Sequence, residues 1–190
     1  MTALDIAIAR KGYPGRDGAP PRTVLRDLAL SVEEGAFVCV LGPSGCGKTT
    51  LLNLIAGLDP DFEGQIHGAG RHAGGRRIGY VFQEPVLLPW RTVGENLRLV
   101  MTPAQIEAGA DLSLLDAMGL GDYRDAFPKS LSLGMSRRVA LARAFVVEPH
   151  LLLMDEPFVS IDESTAEGLR QLLLRTWRVK STTVLFVTHD

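Results

Sequence analysis

The sequence predicts an α/β fold, and three observations predict it. A glycine-dense loop, Gly42 to Gly47, stands between an apolar strand and an apolar-faced helix. Four apolar residues, Leu151 to Met154, run directly into two acids, Asp155 and Glu156. Strand-like and helix-like segments alternate along most of the chain, as they do where strands are covered by crossover helices.

Taken in order, Leu4 to Ala9 and Ala29 to Val32 read as short strands of an antiparallel N-terminal β region. The Pro/Gly loop from Gly12 to Pro21, which holds Tyr13, separates them. Ala36 to Leu41 reads as a buried strand, and a helix opens at Lys48 and runs to Ala56, ended by Gly57 and Asp59-Pro60. Gly64 to Gly75 is a glycine-dense hairpin or loop, and Ile78 to Phe82 a strand leading into Gln83. From Thr92 to about Leu120 the composition turns helical, broken by Pro103. A longer helix is expected from Ser132 to Val147, stopped by Glu148-Pro149. Leu151 to Met154 is a buried strand, Glu163 to Val179 a helix, and Thr183 to Val187 the last strand. The helical stretch, about Glu84 to Leu131, sits between two α/β parts and reads as an insertion within one domain spanning 1–190.

At 190 residues with 46% hydrophobic positions, the chain can bury one core and a small subdomain. A formal net charge of −2 and a pI near 6.1 give no global electrostatic argument for nucleic acid. No apolar run approaches the length that crosses a bilayer. Met1 to Ala9 has neither a basic start nor an uninterrupted apolar stretch, so secretion is not expected. The two cysteines, Cys39 in the strand and Cys46 in the glycine loop, have no metal-ligand or redox spacing and read as reduced thiols of a cytosolic protein.

Leu41-Gly42-Pro43-Ser44-Gly45-Cys46-Gly47-Lys48-Thr49-Thr50 fits the pattern G-x-x-x-x-G-K-[ST]. Glycines at 42, 45 and 47 let the backbone close around an anion, with amide N–H groups aimed at the β-phosphate and a helix N-terminus behind them. Lys48 would reach the β- and γ-phosphates, and the Thr49 hydroxyl would ligate Mg²⁺. The fold class thus becomes a P-loop NTPase core that binds a nucleoside triphosphate. The strand ending in Asp155-Glu156 would deliver Asp155 to the carboxyl edge of the sheet, as a Mg²⁺ ligand through water. Glu156 would take a proton from attacking water. Such a pair of acids alone is often a solvated strand end; its place after a phosphate loop is what assigns it chemistry.

With these motifs in hand, the chain resembles the ATP-binding subunit of an ATP-binding cassette (ABC) transporter from about Leu4 to its last residue. The resemblance implies that Tyr13 stacks on adenine and that Gln83 touches Mg²⁺ and senses a membrane partner. Leu131-Ser132-Leu133-Gly134-Met135 falls where the family carries Leu-Ser-Gly-Gly-Gln, so Ser132 and Gly134 would complete the phosphate site of a second copy. Val159-Ser160-Ile161-Asp162 resembles the loop that crosses the dimer interface, and His189 the histidine that contacts the γ-phosphate. ATP and Mg²⁺ are the implied cofactors, with Lys48, Glu156 and His189 carrying hydrolysis. Thr49, Gln83 and Asp155 would hold the metal.

Phe82 to Leu97 is similar to bacterial importers for nitrate, sulfonates or taurine, and bicarbonate. That implies integral-membrane permease subunits, a sandwich homodimer, a periplasmic solute-binding protein reached through the permease, and no nucleic acid. The expected location is the cytoplasmic face of the cell membrane, with Trp90 and its neighbours facing the permease.

Two departures qualify the resemblance. Leu133 and Met135 replace glycine and glutamine of the signature, and Leu133 would either narrow the approach of the partner's phosphate loop or point away from it. The sequence also stops at Asp190, where related subunits continue, so the C-terminal end of the ABC ATPase fold is expected to be shortened. An ATP-binding module with impaired hydrolysis therefore stays open beside the transporter reading. A soluble ABC ATPase of DNA repair or translation would carry coiled-coil inserts or tandem cassettes, which this sequence lacks.

Overall fold

The structure, a computed structural model, describes residues 2–15, 19–68, 77–159, 163–180 and 182–189. The chain divides into two units: Met1–Ile78 with His150–Glu156 and Ser181–Asp190, and Gly79–Pro149 with Pro157–Lys180.

In the first unit, β1 (Thr2–Tyr13) lies between β2 (Arg22–Glu33) and β4 (Glu63–His67), antiparallel to both. Leu4, Ile6 and Ile8 are buried while Asp5, Ala7 and Ala9 are exposed, the alternation expected of a sheet with one covered face. β1 and β2 are each 12 residues long, well beyond the short strands expected, because their ladder continues through two irregularities. Tyr13 pairs with Arg22 as the last residue of β1 and is not a loop residue.

β3 (Phe37–Leu41), β6 (Leu151–Asp155) and β7 (Thr183–Thr188) form a parallel sheet with order β3-β7-β6-β5, where β5 (Ile78–Val81) is the strand on which the chain leaves the first unit. Central β6 is buried throughout, as its unbroken apolar run requires. β3 was expected to be buried too, but Cys39 and Leu41 are exposed, since β3 stands at one end of the strand order. Both cysteine thiols are free. Helix α1 (Lys48–Ala56) packs on β6 and β7 through Leu51, Leu52, Leu54 and Ile55 and ends at Gly57, whose φ of 71° lets the chain turn off the helix.

The second unit is helical: α2 (Val93–Arg98), α3 (Pro103–Glu107), α4 (Ala110–Ala117), α5 (Leu133–Val146) and α6 (Glu163–Lys180). Thr92 with Glu95, and Thr102 with Gln105, cap α2 and α3 reciprocally. Pro103 opens α3 and does not interrupt a helix, which suits a residue without an N–H. α2 and α4 pack against α5, burying Val93, Leu97, Leu115, Val139 and Leu141. Fully buried Asp111 of α4 accepts from Arg98 of α2 at 2.9 Å and from Arg124 at 3.3 Å.

Candidate active site

Parallel register brings the chemistry of the first unit to one edge. Leu41 pairs with Thr188, and Asp155 with Val187, so Gly42, Glu156 and His189 each follow a strand that ends at the same level. The amide of Glu156 donates to the Val187 carbonyl at 3.0 Å, which carries the register one residue past the strand.

The phosphate loop keeps its shape through glycine. Gly45 and Gly47 have φ of 79° and 104°, conformations that side chains rarely adopt. A Cβ on Gly47 would also meet Val24 and Leu25 of β2 at 2.8 Å. Gly47 caps α1 without a side-chain bond, and the first turn carries no acid, so its N–H groups and positive dipole end are left for an anion.

Lys48 is buried, donating from Nζ to the carbonyls of Gly42 at 2.7 Å and Pro43 at 3.1 Å and lying 3.4 Å from Glu156 Oε1. The other carboxylate oxygen of Glu156 is 2.9 Å from His189 Nδ1. Glu156 holds φ at 45°, an uncommon backbone state of the kind that collects at functional sites. Asp155 is 3% exposed, and burial pushes its carboxyl above the ordinary range. The Thr49 hydroxyl bonded to it works against that rise, the Glu156 charge adds to it, and Lys48 opposes it. A hydroxyl and a buried carboxylate in contact are hard oxygen donors, a set that fits Mg²⁺ completed by phosphates and water.

The structure therefore gathers Gly42, Pro43, Ser44, Gly45, Cys46, Gly47, Lys48, Thr49 and Thr50 with Asp155, Glu156 and His189. Tyr13 belongs to the same unit. Its hydroxyl donates to Asp59 at 2.8 Å, and the Lys11 ammonium lies 4.6 Å from its ring centroid. The sequence marks Asp59 only as part of the stop after α1 and does not mark Lys11, and no local motif assigns either to a site.

The remaining sites lie on the second unit. Gln83 is exposed just past β5, and the loop after it is fastened by Arg143, which donates to the carbonyls of Pro85 and Val86. Buried Asn96 holds the end of that loop through Leu88, Arg91 and Thr92. Ser132 caps α5, accepting from the Met135 amide at 3.2 Å, with Gly134 in the first turn. Leu133 is 48% exposed, so its side chain stands out from the helix end. Ser160, Ile161 and Asp162 lie outside the described residues, as does Asp190.

A protein-family model described as ABC transporter matches residues 25–159. The chain is similar to an aliphatic sulfonates import ATP-binding protein of Burkholderia cenocepacia (strain HI2424), 44% identical over 192 residues, covering 98% of this chain and 68% of that one. It is 42% identical over 194 residues to a protein of the same description in Bacillus subtilis (strain 168), covering 99% of this chain and 74% of that one. Among solved structures, the ATP-binding cassette MJ0796, a dimer in a post-hydrolysis state bound to ADP and Pi, matches with a TM-score of 0.86 at 30% identity. That match covers 98% of this chain and 88% of the other.

Proposed function

The chain belongs to the ABC transporter family, as an ATP-binding subunit and an ATPase, and from that membership we propose that it powers import of a small anionic solute through a membrane permease. The relatives' description as aliphatic sulfonates import proteins supports a sulfonate or a similar anion as cargo. One observation carries the catalytic part: Lys48, Glu156 and His189 meet at the strand edge that also bears the phosphate loop.

In this reading the loop amides and Lys48 hold the β- and γ-phosphates, and Tyr13 receives the adenine. Thr49, Asp155 and Gln83 would hold Mg²⁺, which would supply neutralisation of phosphate charge. Glu156 polarises the attacking water and His189 steadies the γ-phosphate; catalysis is positioning and electrostatics. Ser132 and Gly134, at the open end of α5, complete the site of a second copy, a role supported by the dimeric state of the solved relative.

The helical part, about 84–131, is the insertion that meets the permease. Trp90 at 69% exposure and Val86 at 55% present apolar surface from the loop that Arg143 and Asn96 hold. Among the described residues no helix is long and apolar enough to cross a membrane, so attachment to the cytoplasmic face would run through that permease, with a periplasmic solute-binding protein supplying cargo.

The test is the solution mass of Glu156→Gln with and without Mg-ATP. A doubling on ATP addition is expected. A folded, ATP-bound monomer would instead favour a module whose signature Leu133 has impaired.

A further inference from the structure

We propose that Lys11 and Asp59 form a mount that fixes the Tyr13 ring for a stacked nucleotide base, and that both are positioning residues for nucleotide binding. The inference rests on the reading of Tyr13 as the base-stacking aromatic.

The mount begins with a break in β1. Against β4, Ile8 pairs with Gly64 but Arg10 with Glu63, so one extra residue is accommodated on β1. Alternation from Leu4, Ile6 and Ile8 would turn residue 10 inward and residue 11 outward. With the bulge, Arg10 is exposed and Lys11 is 2% exposed. Buried lysines are kept where they are paired, and Lys11 is paired twice: Nζ donates to Asp59 Oδ1 at 2.8 Å and to the Asp61 carbonyl.

The same carboxylate serves the ring. Asp59 Oδ2 accepts from the Tyr13 hydroxyl at 2.8 Å, while the Lys11 ammonium sits 4.6 Å from the Tyr13 centroid. One end of the phenol and the surface facing Lys11 are thus tied, yet Tyr13 remains 39% exposed. Holding a half-open aromatic in one orientation costs side-chain freedom without the return of burial, the mark of a surface prepared for a planar partner. The ammonium also draws on the ring's π density, which favours stacking against an electron-rich base.

The mount is anchored to the phosphate site at two places. Asp59 follows α1, its amide and that of Leu58 donating to Asn53, and α1 starts at Lys48. On β2, register slips by one residue at Val24, and Val24 and Leu25 are the side chains closing on Gly47. The ring is therefore placed by the elements that place the phosphate loop. A structural staple between β1 and the α1–β4 turn would need only Lys11 and Asp59; the tyrosine hydroxyl on the second carboxylate oxygen is what such a staple leaves unexplained.

The experiment compares affinities of the full chain for Mg-ATP and for Mg-tripolyphosphate, which has no base. Base–aromatic stacking contributes roughly 5- to 100-fold in affinity, so Tyr13→Ala should cut the ATP-to-tripolyphosphate ratio by about tenfold. Asp59→Asn and Tyr13→Phe should each cut it about threefold, with tripolyphosphate binding unchanged. Should Asp59→Asn strand the Lys11 charge and fail to fold, the double variant Lys11→Met with Asp59→Leu removes both charges together and is expected to give the same fall. If Tyr13→Ala leaves the ratio intact, the stacking reading itself is wrong. If Tyr13→Ala lowers the ratio but the Asp59, Lys11 and Tyr13→Phe variants do not, or if they weaken both ligands equally, the mount is only a staple and the inference is overturned.

Discussion

Lys48 Nζ stands 3.4 Å from Glu156 Oε1, so the cation of the phosphate loop faces the carboxylate proposed to polarise water. His189 Nδ1 meets the other oxygen of that carboxylate at 2.9 Å. Glu156 thus bridges Lys48 and His189, the two groups proposed to meet the γ-phosphate, and a bound triphosphate would compete with it for Lys48. Glu156→Gln removes the competing charge while keeping the side chain's shape. Turnover should fall by about 100-fold or more, and ATP should bind as tightly as before or slightly tighter. Phosphate release in a single turnover, set against equilibrium ATP binding, checks both halves; undiminished release would remove Glu156 from the reaction.

Lys48→Ala takes away the one side-chain cation buried in the loop and leaves Glu156 facing the phosphates without a counter-charge. Charge-assisted bonds of this kind contribute about 1.5–3 kcal/mol, so ATP affinity should drop by roughly 10- to 100-fold. Titration of a fluorescent ATP analogue measures the loss, and an unchanged affinity would count against the loop's assignment.

Asp59 sets a pH dependence. Burial pushes its carboxyl up, but bonds from Lys11, Tyr13 and the Asp61 amide together hold it below its ordinary value of 3.8. A carboxyl depressed in the folded state stabilises the fold fully above its unfolded value, and that contribution disappears as pH falls through the folded one. Denaturant unfolding should therefore show a constant gap between wild type and Asp59→Asn from about pH 5 to pH 8, closing below about pH 4. A gap that does not shrink at all as the pH is taken well below 3.8 would mean the pair with Lys11 contributes nothing through its charge.

How much of this was legible in the sequence depends on whether the cause was local. The phosphate loop, the helix from Lys48 and the cap at Ser132 follow from turn and cap chemistry within a few residues, and the structure forms each where the sequence places it. β6 was legible because a central strand is apolar on both faces. β3 has a similar composition but stands at the end of the strand order, and nothing within the strand distinguishes those positions. The burial of Lys11 was not legible, since the alternation that holds for Leu4, Ile6 and Ile8 would turn residue 11 outward and a bulge changes the phase without changing residue types. Asp111 meets Arg98 and Arg124 across 13 residues in each direction, beyond any helical period.

That acid makes its own prediction. Asp111 is fully buried between two arginines, and its Oδ1 has no hydrogen-bond partner among the described residues. Asp111→Ala leaves Arg98 and Arg124 crowded without their anion and should destabilise the chain by about 3 kcal/mol. Urea unfolding at neutral pH measures it; a loss under 1 kcal/mol would show that the half-exposed arginines turn to solvent.

Arg137, buried on α5, donates from Nη1 to the Pro157 carbonyl at 2.6 Å. Its Nε has no partner among the described residues, and burial lowers its pKa, so the guanidinium is costly where it sits. Pro157 directly follows Glu156, whose φ of 45° is a backbone state that surrounding structure must hold in place. The bond therefore ties α5 to Pro157, the next residue in sequence after the carboxylate proposed to polarise water. Arg137→Met keeps the stem packed and removes the charge and the bond together. Stability should change by no more than about 1 kcal/mol, because the unsatisfied donor goes as well. The expected signature is a roughly tenfold fall in kcat with KM for ATP unchanged, since binding uses the loop and not this turn. An unaltered kcat would reduce the contact to packing of α5, whereas a risen KM with normal kcat would place Arg137 in nucleotide binding.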